Sequence, residues 1–222
     1  MIIVLLGAPG AGKGTQAELL SAWLGISHIS SGDLFRSAIQ SGTELGLRAQ
    51  KFINAGELVP DEVTIGMVAE ILKTPECAKG VILDGFPRTQ NQALALKAFL
   101  DTLYRSVDLV PYITVSTEVL MERLTGRWIC PQCGTVYNAV YKPEKVKGLC
   151  DIDGAKLYQR SDDDPATQGH RIEVYLRQTA PLIEFYRSEG VLAEVNGEGS
   201  VEEVQQRLRE VINAVISARG RR

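Results

Sequence analysis

The run Gly7-Ala8-Pro9-Gly10-Ala11-Gly12-Lys13-Gly14-Thr15 constrains this chain more than any other stretch. An apolar segment, Ile2 to Leu6, precedes it, and a helix-like segment, Gln16 to Leu24, follows. Strand, glycine-rich loop and helix in that order are the context a phosphate-binding loop needs. Glycines let successive backbone N–H groups curl inward on an anion. The helix start adds unpaired N–H groups and the positive end of its dipole. Lys13 places a point charge on the β and γ phosphates of a bound nucleotide. Gly14 stands where a Ser or Thr hydroxyl usually meets Mg²⁺, with Thr15 one place later. Metal binding then relies on phosphate oxygens and water, with a carboxylate behind the water.

Further along, Ile26 to Ser30 reads as a second strand, and Ser31 as the N-cap of a helix carrying Leu34, Phe35, Ala38 and Ile39. Gly42 to Gly46 is expected to break that helix. A short helix, Leu47 to Asn54, follows, and Pro60-Asp61 restarts one that runs to about Lys73. A crossover between parallel strands needs only one helix, so this block reads as an inserted small domain. Val81-Ile82-Leu83-Asp84 has the form of a buried parallel strand ending in a carboxylate. Its C-terminal end should lie beside the phosphate loop, which makes Asp84 the candidate for holding water on Mg²⁺. Arg88 then sits at a strand mouth as an anion clamp, and Thr89 caps a helix to Leu100. Leu109 to Val115 is the fourth strand, and Ser116 or Thr117 caps a helix to Leu124. Asp164-Pro165 opens a helix to about Ser188, with a kink expected at Pro181. Val191 to Val195 is the fifth strand, and Ser200-Val201-Glu202-Glu203 is a capping box for the last helix.

Between Gly126 and Asp163 the composition shifts to Gly, Pro, Tyr and Lys, with short alternating pieces such as Thr135-Val136-Tyr137. A small β-rich insertion fits this pattern. Within it lie Cys130-Pro131-Gln132-Cys133 and Cys150-Asp151-Ile152-Asp153. That is zinc-knuckle spacing with the last thiolate replaced by a carboxylate. Four protein ligands close the shell, so the metal is expected to be structural and to serve a module too small for a core of its own. Zinc is the expected occupant and iron the alternative. Cys77 is left over as a small buried or near-surface hydrophobe.

Arg36, Arg88, Arg123, Arg127, Arg160 and Arg171 fall on loops, strand mouths and hinges. Guanidinium forks grip phosphate bidentately and keep their charge. Beside a phosphate loop, six of them suggest two phosphorylated ligands held head to head. The chain has only two histidines, His28 and His170, read as a packed residue and a helix-surface residue, and no Ser-His-Asp or Cys-His arrangement. A phosphate acceptor is already ionised and needs no base, so positioning and charge suffice for phosphoryl transfer. Two insertions flanking the loop would exclude water, with Gly126 and the Asp162-Asp163-Asp164 run as hinges. Net charge is −3, with 24 Lys and Arg against 27 Asp and Glu, which disfavours nucleic acid as a partner. The start is too short for a secretory signal and no stretch reaches the length of a membrane span, so a cytosolic monomer is expected. The end, Arg219-Gly220-Arg221-Arg222, reads as a solvated tail.

The segments GAPGAGKGT, SGDLFR, LDGFPRTQNQA, GRWICPQC and YQRSDDD, in this order, closely resemble bacterial adenylate kinases with the long, zinc-carrying lid. The resemblance covers nearly the whole chain. It implies an α/β fold of the P-loop NTPase type: a parallel five-stranded sheet flanked by helices, with two inserted covers. The core would be residues 1–29, 60–125 and 164–222, the helical AMP-binding insert 30–59, and the zinc lid 126–163. It implies that Gly10, Ala11, Gly12, Lys13, Gly14 and Thr15 hold ATP phosphates, with Arg123, Arg127, Val136 and Tyr137. AMP would meet Ser31, Arg36, the backbone of Glu57, Leu58 and Val59, and the loop Gly85-Phe86-Pro87-Arg88, with Gln92 facing its adenine. Arg160 and Arg171 would reach AMP and the transferring phosphoryl. Lys13, Arg88, Arg123, Arg160 and Arg171 would be the catalytic cations, and the reaction ATP plus AMP to two ADP.

Two departures stand out. The family usually has Thr where Ser31 stands, so a methyl contact to adenine is lost. Trp128 replaces a basic or polar residue and serves either stacking or packing in the lid. The nearest rival is a related nucleoside monophosphate kinase of the UMP/CMP or GTP:AMP type, against which Gln92 and the long lid argue. A switch or hydrolase would favour Ser or Thr after the loop lysine. A zinc-ribbon nucleic-acid module would be basic.

Overall fold

The structure, a computed structural model, describes residues 1–160 and 162–219. Residues 220–222 of the expected tail lie outside the described residues. The strands are β1 (Ile2–Leu5), β2 (Ser27–Ser30), β3 (Val81–Asp84), β4 (Val110–Thr114), β5 (Arg127–Ile129), β6 (Val136–Asn138) and β7 (Leu192–Asn196). The helices are α1 (Lys13–Leu24), α2 (Ser31–Gln40), α3 (Glu44–Asn54), α4 (Asp61–Leu72), α5 (Gln90–Thr102), α6 (Thr117–Thr125), α7 (Pro165–Val174), α8 (Leu182–Ser188) and α9 (Val201–Arg219).

β3 lies between β1 and β2, and both pairings are parallel. β1 continues to β4 through Val4 N–H to Leu109 O (3.1 Å) and Ile113 N–H to Leu6 O (2.9 Å). β4 pairs parallel with β7. The five strands thus form one parallel sheet in the order β2-β3-β1-β4-β7. Every residue of β1 is buried because helices cover both faces of the sheet. Alternation divides its side chains. Ile2 and Val4 join Val81 and Leu83 against Leu96 and Leu100 of α5 and Val68 of α4. Ile3 and Leu5 join Ile82 against Leu20 of α1 and Leu208 and Ile212 of α9.

Local chemistry shifts several expected boundaries. Ser30, not Ser31, caps α2: its side chain accepts the Asp33 N–H. That frees the Ser31 hydroxyl to donate to Gly85 O at 2.6 Å, tying α2 to the mouth of β3. The break after α2 is confined to residues 41–43, and Thr43 caps α3 by accepting the Gly46 N–H at 3.1 Å. Gly46 is inside α3, not in the break; any side chain there would collide with the Ala38 backbone of α2. The helix after Pro165 does not run through to residue 188. One π-turn, Tyr175–Thr179, separates α7 from α8, with the Ala180 N–H donating to Tyr175 O at 2.9 Å just before Pro181. The capping box is present, with Ser200 N–H to Glu203 Oε2 at 2.8 Å and Glu203 N–H to Ser200 Oγ at 3.2 Å.

Leu20 of α1 is fully buried against the sheet and α9, and this packing holds the phosphate loop's helix in place. Leu20→Ala is expected to cost about 3 kcal/mol of stability, measured by urea unfolding, because the sheet behind it cannot collapse into the cavity.

Candidate active site

β1 and β3 end side by side, with Leu5 opposite Asp84. The chain leaves β1 into the glycine loop, where Gly10 and Gly12 take φ of +85° and +88°. That left-handed conformation is cheap only for glycine, and it delivers the chain into α1 at Lys13. Lys13 Nζ donates to the carbonyls of Gly7 (2.8 Å) and Ala8 (2.9 Å). Above the loop lies a cavity of about 320 Å³. The loop residues Gly10 to Thr15, Asp84, Gly85, Arg88 and Val136 line it, together with Arg36, Arg123, Arg127, Arg160 and Arg171. A smaller cavity of about 70 Å³ adjoins it, walled by Ser31, Glu57, Leu58, Val59 and Gln92. Gly85, Arg36, Arg88 and Arg171 belong to both walls.

The cations are close enough to repel one another. Burial pulls Lys13 down to about 8; Asp84 opposes the shift, and Arg88, Arg171 and Arg127 deepen it. Arg88 falls to about 10, chiefly through burial and then through Arg171. Arg160 also falls to about 10, through burial and then Arg36 and Arg127. A multiply charged anion would relieve all of these at once.

Carboxylates hold the arginines in place. Asp162 accepts Arg171 Nη1 at 2.6 Å. Asp163 accepts both Nε and Nη2 of Arg127. Asp33 accepts Arg36 Nη2 at 2.5 Å and lies 3.6 Å from Arg160 Nη2. Asp162 and Asp163, expected as hinge residues, are buried partners of site arginines, while Asp164 caps α7. The sequence carried a signal for this: an acidic run between Arg160 and Arg171.

Other residues depart from expectation in a similar way. His28 is not simply packed: it lines the large cavity, with Nε2 buried, without a hydrogen-bond partner and 3.6 Å from Asp84 Oδ2. His170 is not a plain surface residue, because its Nε2 sits 2.6 Å from Glu57 Oε1 and ties α7 to the helical insert. The Phe86 side chain packs into the core, whereas Pro87 lines a further cavity of about 70 Å³ beside Lys13. Tyr137 borders the large cavity, yet its hydroxyl lies 3.4 Å from Cys150 Sγ and accepts the Asp151 N–H at 2.8 Å. Arg123 stacks over the ring of Tyr141 at 4.5 Å, a contact the sequence reading missed. Trp128 is partly exposed on β5, with Tyr137 of β6 as its register partner.

The four expected metal ligands come together. Ligand atoms of Cys130, Cys133, Cys150 and Asp153 all lie within 4.8 Å of one another. The two turns that carry them are built alike. Gly134 N–H donates to Cys130 O and Gly154 N–H to Cys150 O, with φ of +74° and +73° at the two glycines. Gln132 N–H points at Cys130 Sγ and Ile152 N–H at Cys150 Sγ, both at 3.4 Å, as suits thiolates. Ala155 N–H holds Asp153 Oδ1 at 2.9 Å. Three sulfurs and one carboxylate at this spacing fit a tetrahedral ion, and the lid's own cluster of Cys130, Tyr137, Cys150 and Leu157 is too small to stand alone.

A five-stranded parallel sheet, a lysine-bearing glycine loop at its C-terminal edge and a cationic cavity above it define a P-loop nucleotide-binding protein. The chain belongs to the adenylate kinase family, whose profile matches residues 5–191. It is 51% identical over 215 residues to the adenylate kinase of a Geobacillus species, covering 97% of this chain and 100% of that protein. The adenylate kinase of Bacillus subtilis is 50% identical over 215 residues, covering 97% and 99%. That of Staphylococcus aureus is 48% identical over 213 residues, covering 96% and 99%.

Because the folded pKa of Lys13 lies below its unfolded value, the charged lysine destabilises the free protein up to about pH 8. The penalty fades as pH rises from about 8 through 10.5 and is gone only above that, where both states are neutral. Lys13→Met should therefore be more stable than the parent at pH 7, by about 1–2 kcal/mol, and the gap should narrow steadily as pH rises from 8 toward 10.5. Thermal unfolding across that pH range measures it.

Proposed function

We propose that this protein catalyses reversible, Mg²⁺-dependent transfer of the terminal phosphoryl of ATP to AMP, giving two ADP and keeping the adenine nucleotides in balance. One observation carries the reading: two adjoining cavities share a wall of Arg36, Arg88 and Arg171. The larger, over the glycine loop, is assigned to ATP. The smaller, beneath α2 and α3, is assigned to AMP. Both phosphate tails then meet between Lys13 and the shared arginines.

The AMP phosphate oxygen attacks the γ phosphorus, and the bond to the β–γ bridging oxygen breaks. No proton changes hands, so the absence of a histidine or cysteine pair among the cavity residues costs nothing. Lys13, Arg123 and Arg127 hold the ATP side, Arg36 and Arg88 the AMP side, and Arg160 and Arg171 the phosphoryl in transit. Held through water by Asp84, Mg²⁺ would supply charge neutralisation for the nucleotide phosphates. Asp84 fits its water shell: it lies beside Gly14, and a Cβ added there would sit 3.4 Å from Asp84 Oδ2. Residues 30–59 act as the AMP cover and residues 126–163 as the ATP lid, both excluding water, with the core formed by 1–29, 60–125 and 164–222. We assign zinc to the Cys130, Cys133, Cys150 and Asp153 site as a structural ion. The protein acts as a cytoplasmic monomer without nucleic-acid or membrane partners. In support, net charge is −3, and no helix among the described residues is long and apolar enough to cross a membrane.

An acceptor screen with MgATP tests the assignment. AMP should be converted to ADP quickly, UMP, CMP and GMP slowly at best, and water hardly at all; rapid UMP turnover without AMP turnover would refute it. Arg88→Ala should lower kcat/KM by roughly 10²–10³, the usual loss for one preorganised charge contact. Cys130→Ser should lower the melting temperature by roughly 5 °C or more, read by scanning calorimetry, while turnover at low temperature largely survives. A dead enzyme that is fully folded with metal bound would overturn the structural role.

A further inference from the structure

We infer that Asp61 is a specificity-determining residue: it locks the amide of Gln92 in the one orientation that accepts a 6-aminopurine. This rests on the assignment of the smaller cavity to AMP.

Gln92 is buried near the start of α5 and lines that cavity. Its Nε2 donates to Asp61 Oδ1 at 2.7 Å, and its Oε1 accepts the Arg88 backbone N–H at 2.7 Å. The partners admit one orientation only. An ionised carboxylate can only accept, and a peptide N–H can only donate. Turning the amide over would set oxygen against carboxylate and N–H against N–H, losing two bonds where water cannot replace them.

Asp61 is itself well anchored. Its Oδ2 accepts Thr89 Oγ1 at 2.8 Å and Asn91 Nδ2 at 3.1 Å. As the first residue of α4, it also sits at the positive end of that helix dipole.

With these bonds made, the amide keeps one N–H and one oxygen lone pair. Together they complement a base edge that offers a ring-nitrogen acceptor beside an exocyclic amino group, which is adenine. The inverted amide would complement a ring N–H beside a carbonyl, which is hypoxanthine or guanine. Base choice in this site therefore depends on a carboxylate that does not line the cavity. The sequence shows Asp61 only as a helix start.

The test compares AMP with inosine monophosphate, its 6-oxo analogue, as acceptors with MgATP. Wild type should favour AMP by about 100-fold or more in kcat/KM, as buried polar pairing does. D61N should cut that preference about 10-fold or more, through the KM of the acceptor, with the KM of ATP unchanged. N91A removes a hydrogen bond to the other oxygen of Asp61, not the one that holds the Gln92 amide, so it should leave the preference intact. If D61N does not stay folded at assay temperature, D61S is read by the same ratio. A preference unchanged in D61N or D61S, or moved as far by N91A, overturns the role of Asp61 while leaving the AMP assignment standing. A wild type that does not use AMP overturns that assignment instead.

Discussion

Burying Lys13 among other cations is the constraint the rest of the molecule depends on. Lys13, Arg36, Arg88, Arg127, Arg160 and Arg171 face one space, and burial first, then neighbouring cations, lowers Lys13, Arg88 and Arg160. Folding must hold them there without their ligand. It does so with paired carboxylates behind the guanidinium groups, Asp162 behind Arg171 and Asp163 behind Arg127. The site is thus preorganised for negative charge, and binding phosphate returns energy that the free protein has stored as repulsion.

The sheet supplies the rigid side of this arrangement. β1 and β3 are buried on both faces, and their ends fix the glycine loop and Asp84 relative to one another. Segments on the far side of the cavity supply the other side. α2 is tied to the end of β3 by Ser31 donating to Gly85 O, and the segment after α3 to α7 by Glu57 and His170. The lid gathers around its cysteine and carboxylate turns, since four buried residues make too small a core for a module of that size.

Much of this was legible in the sequence, for reasons that differ by element. Val81 to Asp84 read correctly as a strand because an apolar run buried on both faces has no other stable use. The glycine loop and the cysteine turns read correctly because each demands particular residues at fixed spacing. Tertiary packing decided the misreadings. Gly46 looked like a breaker and is a close-approach residue, because the helix lying against it is invisible locally. The cap of α2 moved to Ser30 because Gly85 claims the Ser31 hydroxyl from 54 residues away. Asp61, Asp162 and Asp163 went unread as site residues because their partners come from elsewhere in the fold. First contacts with a phosphate are written in motifs; the residues that orient them are written in topology.

Lys13, buried beside other cations, waits for an anion partly deprotonated near pH 8. Isothermal titration calorimetry of ATP binding at pH 8, in buffers of different ionisation enthalpy, tests it directly. With Lys13 near 8 when free, binding should take up about half a proton per ATP, because phosphate restores the lysine's charge. Lys13→Met should abolish the uptake. No uptake by the parent, or an equal uptake by the variant, would contradict the account.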